Sequence, residues 1–225
     1  MNELSPKQRA AIHAAQQVRS GMRLGLGSGS TVYLIVEALG ERQARGELRD
    51  VQVVVASRWT EAAVTAAGLT ITTLNEMPQL DLAIDGADEI DPQRSMIKGG
   101  GGALLRERIV LAAAEHRLIV VDDSKLVQTL GQRWAVPIEV VQFGWRIPEA
   151  TLQRHSSRPV MRMDGAQPFI TDEGNFILDA SFGLIHNPGQ LDAALRAIPG
   201  VMDHGLFIGL ADQVIVGGID GVREL

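Results

Sequence analysis

A chain of 225 residues, 45% of them hydrophobic and 21% charged, is long enough to bury a substantial core and has the composition of an ordinary globular protein rather than a disordered one. Its formal net charge of -6, with no clustered Lys and Arg, argues against a non-specific nucleic-acid binder, so an anionic ligand would need a local site. The absence of cysteine excludes disulfides, thiolate metal sites and a cysteine nucleophile. Apolar runs such as VQVVVA and RLIVV are too short to span a bilayer, so no membrane partner is expected and the cytoplasm is the default location.

From the N-terminus, short β-branched runs alternate with helical stretches: MRLGLG, STVYLIVEALGERQARG, VQVVVA, RWTEAAVTAAG, LTITTL, LDLAIDGAD, ALLRERIVLAAAEH and RLIVVDD. This alternation with short connections predicts an α/β fold, a mostly parallel sheet flanked by helices. After about residue 130 the texture changes. WAVPIEVV reads as a strand interrupted by proline, PEATLQRHSS as a short helix, and PVMRM and PFITDEGNFILDASF as strands around a turn at Asp172 to Asn175. NPGQLDAALRAIPG reads as a helix with Asn187 as cap and Pro188 at its first position, and GLFIGLADQVIVGG returns to strand. The expected division is a main domain of residues 1–130 plus 206–225, with a smaller α+β domain at 131–205.

LGLGSGSTVYLIVEAL, residues 24–39, reads as strand, glycine-rich turn and helix. Gly25, Gly27 and Gly29 permit backbone angles closed to other residues, while Ser28, Ser30 and Thr31 place hydroxyls and N–H groups at the helix start. That is the outline of a phosphate cradle, because unpaired N–H groups and the positive end of the helix dipole converge there. A plain tight turn with Ser30 or Thr31 as a cap fits equally well. Two nucleotide motifs are weakened: the dinucleotide fingerprint has serine at position 30 where its third glycine belongs, and no P-loop lysine is present. A small phosphorylated ligand fits better than a nucleotide.

LDLAIDGADEID places Asp85 at the carboxyl end of an apolar run, the edge at which open α/β sheets bind ligands. Asp88 follows three residues later around Gly86 and Ala87, so both side chains could face one pocket. A solvated acidic loop and a magnesium site are the competing readings; an EF-hand is not, because Ala87 and Glu89 break its order. Next, Lys98 stands at the entrance to four consecutive glycines, Gly99, Gly100, Gly101 and Gly102. An ammonium beside a row of N–H groups at a helix start suits the stabilisation of an oxyanion. Glu107, on the helix that follows, has Ala103, Leu104, Val110 and Leu111 as helical neighbours, surroundings that would raise a carboxylate's pKa toward a general base's range. Arg106 and Arg108 have equally apolar neighbours, so periodicity does not single out Glu107. Lys125, after the strand that ends in Asp122 and Asp123, could add positive charge at the same sheet edge.

GLGSGST, DGADEID, KGGGGALLRE and DDSK, in this order and spacing, resemble the ribose-5-phosphate isomerases of the A type, and the resemblance extends to IPGVMDHGLF and VIVGGIDGV near the C-terminus. It implies interconversion of ribose 5-phosphate and ribulose 5-phosphate with no cofactor and no metal. It also implies a Rossmann-like main domain with a smaller ferredoxin-like one, in a homo-oligomer, dimer or tetramer. Carried over residue by residue, it makes Ser28, Gly29, Ser30 and Thr31 part of the sugar-phosphate site, with Lys7 and Lys125 as cationic contributors. Asp85 and Asp88, flanking Gly86 and Ala87, become the paired acids, Lys98 to Gly101 the anion-stabilising turn, and Glu107 the catalytic base. The chain departs from the family's Ser-Ser pair after the second strand, where it has Ala56-Ser57 followed by Arg58 and Trp59.

Overall fold

The β-branched runs assemble as the alternation predicts. A computed structural model describes residues 4–155 and 157–225 and divides into two compact units. The first runs through Gly86 and takes in Arg106–Lys125 and Leu210–Leu225; the second comprises Ala87–Leu105 and Leu126–Gly209.

In the first unit a seven-stranded sheet has the order Gly221–Glu224, Gln213–Gly218, Ala114–Asp122, Leu80–Asp85, Arg23–Leu26, Gln52–Val55, Thr70–Ile71. Every neighbouring pair is parallel except the terminal hairpin Gln213–Gly218 with Gly221–Glu224. Leu24, Leu26, Val53, Leu82, Ile84, Leu118, Val120 and Ile215 are buried in one apolar cluster with Ala10, Ala14, Val32, Ile35 and Leu39 of the helices Pro6–Gln16 and Ser30–Ala44. Each such Leu, Ile or Val contributes on the order of 1.5–3 kcal/mol by leaving water. The first helix starts at a reciprocal capping box of Ser5 and Gln8, with Pro6 in its first turn. Because the strands are parallel, residues 27–31, 56–57, 86 and 123–125 all follow carboxyl ends on the same edge.

The second unit has a four-stranded antiparallel sheet, Val201–His204, Val136–Val140, Phe176–Ser181 and Arg158–Met161, with the helices Arg146–Arg154 and Pro188–Arg196. Leu152 and Leu195 of these helices share an apolar cluster with Ile138, Val140, Leu178 and Ala180 of the sheet. A three-stranded sheet, Leu206–Phe207, Met96–Ile97 and Glu89–Ile90, belongs to the same unit. The Asn187 side chain caps the helix Pro188–Arg196 by accepting from the Gln190 N–H. The turn expected at 172–175 is closed by Thr171 and Asn175, and the chain adds a small hairpin, Met163–Asp164 with Gln167–Pro168, that texture did not signal.

The unit boundaries differ from the division at 130/131 and 205/206 drawn from texture. Residues 87–105, 126–130 and 206–209 group with the smaller unit. The reason is packing: Ile97, Val127, Leu130 and Leu206 lie in that unit's apolar cluster, and the buried Glu89 carboxylate accepts the N–H groups of Gly131, Arg133 and Trp134. Glu89 is therefore a structural anchor. Asp91 is a second one, folding its own loop through the N–H groups of Gln93 and Ser95; burial holds its carboxyl above the ordinary range.

Candidate active site

In the first unit the glycine-rich turn leads from the strand Arg23–Leu26 into the helix Ser30–Ala44, whose N-cap is Gly29 at φ 106° with no side-chain cap. Neither Ser30 nor Thr31 caps the helix, so the plain-turn reading of those residues gives way. The N–H groups of the first helical turn are left for another acceptor, and an anion at a helix start is the favourable one. Lys7 reaches this place from the first helix, its Nζ donating to the Ser30 Oγ at 3.2 Å.

Asp85 ends the strand Leu80–Asp85 and is 1% exposed. Its Oδ1 accepts from the Gly86 N–H at 2.7 Å and the Ser28 N–H at 3.3 Å. A Cβ added at Gly27 would stand 1.9 Å from the Asp85 Cγ, so the carboxylate lies against bare backbone. Gly27 is glycine for space, whereas Gly29 is glycine for its positive φ. Behind the turn, the Ser28 Oγ lies 2.9 Å from the Ser57 Oγ, Ser57 caps the helix Arg58–Ala66, and the Thr60 Oγ1 donates to the Gly27 carbonyl at 2.8 Å.

Glu107, in the first turn of the helix Leu104–Ala112, is 3% exposed, while Arg106 and Arg108 beside it are half-buried. The distinction that periodicity could not make is thus made by the packed structure. Lys125 closes a short 3-10 turn after the strand Ala114–Asp122 and is half-buried.

In the second unit Lys98 is 2% exposed, its Nζ 5.5 Å from the centre of the Phe207 ring and its N–H donating to the Gly205 carbonyl. The glycines that follow form a tight turn closed by the Gly102 N–H on the Gly99 carbonyl at 3.0 Å, with positive φ at Gly99 and Gly102. The Asp88 Oδ2 accepts the Gly100 N–H at 2.8 Å. The row of N–H groups expected here is therefore partly engaged, by Asp88 and by the turn itself. Among the described residues no group of three or more His, Cys, Asp or Glu side chains is placed to hold a metal ion, and no helix is long and apolar enough to cross a membrane.

Comparison with known proteins decides the family. The family described as ribose 5-phosphate isomerase A (phosphoriboisomerase A) matches residues 52–221. The ribose-5-phosphate isomerase A of a Synechococcus species is 45% identical over 96% of this chain and 94% of its own length, and that of a Roseiflexus species is 48% identical over 97% and 94%. The solved ribose 5-phosphate isomerase A of Methanocaldococcus jannaschii superposes with a TM-score of 0.93 at 35% identity, covering 98% of this chain and 97% of that one. A solved D-ribose-5-phosphate isomerase in complex with phospho-erythronic acid superposes at 0.96 with 38% identity, covering 100% and 99%.

The chain belongs to the ribose 5-phosphate isomerase A family. Its activity is the isomerisation of ribose 5-phosphate; the alternative that these motifs leave open, a non-catalytic sugar-phosphate-sensing domain on the same scaffold, is not favoured. For an isomerase of this family, residues at the sheet edge were legible as strand-end and helix-start positions. The Ser57 and Thr60 hydroxyls behind the Gly27 turn were not, since only the S-x-x-T cap spacing hints at them. Nor did any pattern link Phe207 to Lys98, which are 109 positions apart and meet only through the sheet Leu206–Phe207, Met96–Ile97.

Proposed function

We propose that the chain interconverts D-ribose 5-phosphate and D-ribulose 5-phosphate through an enediolate, with Glu107 as the base that takes the proton from carbon two and returns it to carbon one. The hard step is removal of a weakly acidic C–H proton. A single carboxylate suffices when donors already in place stabilise the oxyanion that forms. Lys98 and the glycine-turn N–H groups supply those donors. The N–H groups and hydroxyls of Ser28, Gly29, Ser30 and Thr31 hold the phosphate, with Lys7 and Lys125 adding positive charge; this remote binding energy orients the reacting carbons. Asp85, with Gly86 and Ala87 in the same loop, assists opening of the furanose ring, and Asp88 orients the substrate and the glycine turn.

The observation that carries this reading is the burial of Asp85, Lys98 and Glu107, which are 1%, 2% and 3% exposed, in a segment whose other buried acids, Glu89 and Asp91, are taken up by backbone N–H groups. Shielding charged groups from water is costly, and chains retain such groups where chemistry needs them. The ligand named for the solved relative supports the same reading, since phospho-erythronic acid carries a phosphate and a planar carboxylate with the shape and charge of an enediolate. The reaction belongs to the non-oxidative pentose phosphate pathway, and we place the protein in the cytoplasm as a homo-oligomer, a dimer or a tetramer.

The Glu107→Gln variant should fold, still bind ribose 5-phosphate, and lose exchange of the carbon-two proton with solvent deuterium. Exchange at the unsubstituted rate would remove Glu107 from the role of base. Activity should survive exhaustive treatment with a divalent-metal chelator; loss restored by magnesium would instead make Asp85 and Asp88 metal ligands.

A further inference from the structure

One arginine outside every motif touches the anion-stabilising turn directly. Arg162 lies between the strands Arg158–Met161 and Met163–Asp164, where its backbone N–H donates to the Ile177 carbonyl and its carbonyl accepts from the Phe169 N–H. Its guanidinium is gripped by Asp179 of the adjacent strand, Nε to Oδ2 at 3.0 Å and Nη2 to Oδ1 at 2.5 Å. The remaining nitrogen, Nη1, donates to two successive carbonyls of the turn, Gly99 at 2.8 Å and Gly100 at 3.1 Å.

These two bonds fix peptide planes. In a trans peptide the carbonyl and the following N–H point in opposite directions, and there are no cis peptides here. The plane between Gly99 and Gly100 is therefore held at both ends, its oxygen by Arg162 and its N–H by the Asp88 Oδ2. The next plane is held by its oxygen alone, which aims the Gly101 N–H away from Arg162. Gly101 is exposed, and among the described residues its N–H has no protein acceptor. Packing limits the turn's movement further: a Cβ at Gly102 would lie 2.4 Å from the Phe169 ring, and one at Gly100 would lie 3.0 Å from Trp134. Arg162 itself stands 6.0 Å from the centre of the Phe169 ring.

We propose that Arg162, braced by Asp179, is a positioning residue for the isomerisation: it sets the Gly99–Gly101 peptide planes so that the Gly101 N–H serves as a donor to the developing enediolate oxygen. This rests on the glycine turn being the oxyanion site. Arginine is required because one planar fork must bind a carboxylate with two nitrogens and two carbonyls with the third, which a lysine ammonium cannot reproduce. A donor displaced by about 1 Å costs on the order of 10²-fold in rate.

The test compares Arg162→Met, Arg162→Lys, Asp179→Asn and the Arg162→Met/Asp179→Asn double variant in kcat, KM for ribose 5-phosphate, carbon-two deuterium exchange and thermal midpoint. Arg162→Met should lower kcat and exchange together by roughly 10²-fold with KM changed by less than about 3-fold. Arg162→Lys should recover only part of that loss. Asp179→Asn should lose about 10-fold, and the double variant no more than Arg162→Met alone, because Asp179 acts through Arg162. Full activity in Arg162→Met or in Arg162→Lys would overturn the proposal, as would additive losses or a loss carried wholly by KM. Should Arg162→Met fail to fold, Asp179→Asn and Arg162→Lys decide by the same kcat-against-KM criterion. An inactive unsubstituted enzyme would bring down the isomerase reading and this inference with it, whereas an active enzyme indifferent to Arg162 would bring down the inference alone.

Discussion

The turn at Gly27–Thr31 follows from a local order of strand, small residues and helix, with Asp85, Ser57 and Thr60 packed behind it, whereas the turn at Lys98–Gly102 has its peptide planes held by side chains from far along the chain. In the first, a parallel strand ends, Gly29 takes a left-handed conformation, and the helix Ser30–Ala44 begins without a side-chain cap. Any sequence with that order of strand, small residues and helix would leave N–H groups at the sheet edge. The second depends on Asp88, Trp134, Arg162, Phe169 and Gly205, which lie 10 to 107 residues from Lys98 in sequence. A turn of the first kind is suited to holding a group that is charged throughout the reaction, such as a phosphate. The second, with its peptide planes fixed from outside, is suited to a charge that exists only in passing, since no reorganisation is left to be done when that charge forms.

Substitutions can break or sharpen this contrast. The largest effect is expected at Lys98: Lys98→Met removes a buried ammonium from the turn proposed to meet the transient charge, and kcat should fall by about 10²–10³-fold with phosphate binding retained. A rise in KM at unchanged kcat would show instead that this turn serves ground-state binding. Next comes Gly27→Ala, whose Cβ would collide with the Asp85 carboxylate; unfolding by urea should reveal a loss of about 1–3 kcal/mol, the usual cost of overpacking. Gly101→Ala should leave the urea midpoint where it was, because a Cβ there meets no atom within 4 Å. Equal destabilisation in both variants would erase the distinction between Gly27, which lies against the Asp85 carboxylate, and Gly101, where a side chain has room.

The smallest effect concerns the sheet behind the second turn. Glu139, in the strand Val136–Val140, is buried, and desolvation raises its carboxyl above the ordinary range although the Asn175 amide and the Thr171 hydroxyl both donate to its Oε1. A group whose folded pKa is raised contributes its stability below the unfolded value and loses it as pH rises through the folded value. The thermal midpoint of Glu139→Gln relative to the unsubstituted protein should therefore increase from pH 4 toward pH 8. A difference that stays flat across that range would mean the carboxyl is not desolvated in solution.

Much of the first unit could be read from the chain because its signals are local. Periodicity marked the strands, and Asp85 stood at the end of an apolar run. Residues 87–105 were misplaced for the same reason. They read as a loop and helix start of the main domain, yet Ile97 is captured by the smaller unit's core and Glu89 by the backbone at 131–134. A two-residue strand such as Met96–Ile97 carries too little pattern to declare its partner.

By itself the sequence determined the α/β alternation, the Asn187 cap and, through DGADEID and KGGGGALLRE, the family. Only the tertiary structure separated the buried Glu107 from its arginine neighbours, put Asp88 on the Gly100 N–H, and brought Arg162 to the carbonyls of Gly99 and Gly100. The physical reason is range. Backbone angles, caps and amphipathic faces are set within a few residues, whereas the desolvation of a carboxylate and the aim of a peptide plane depend on atoms that only the completed fold brings together.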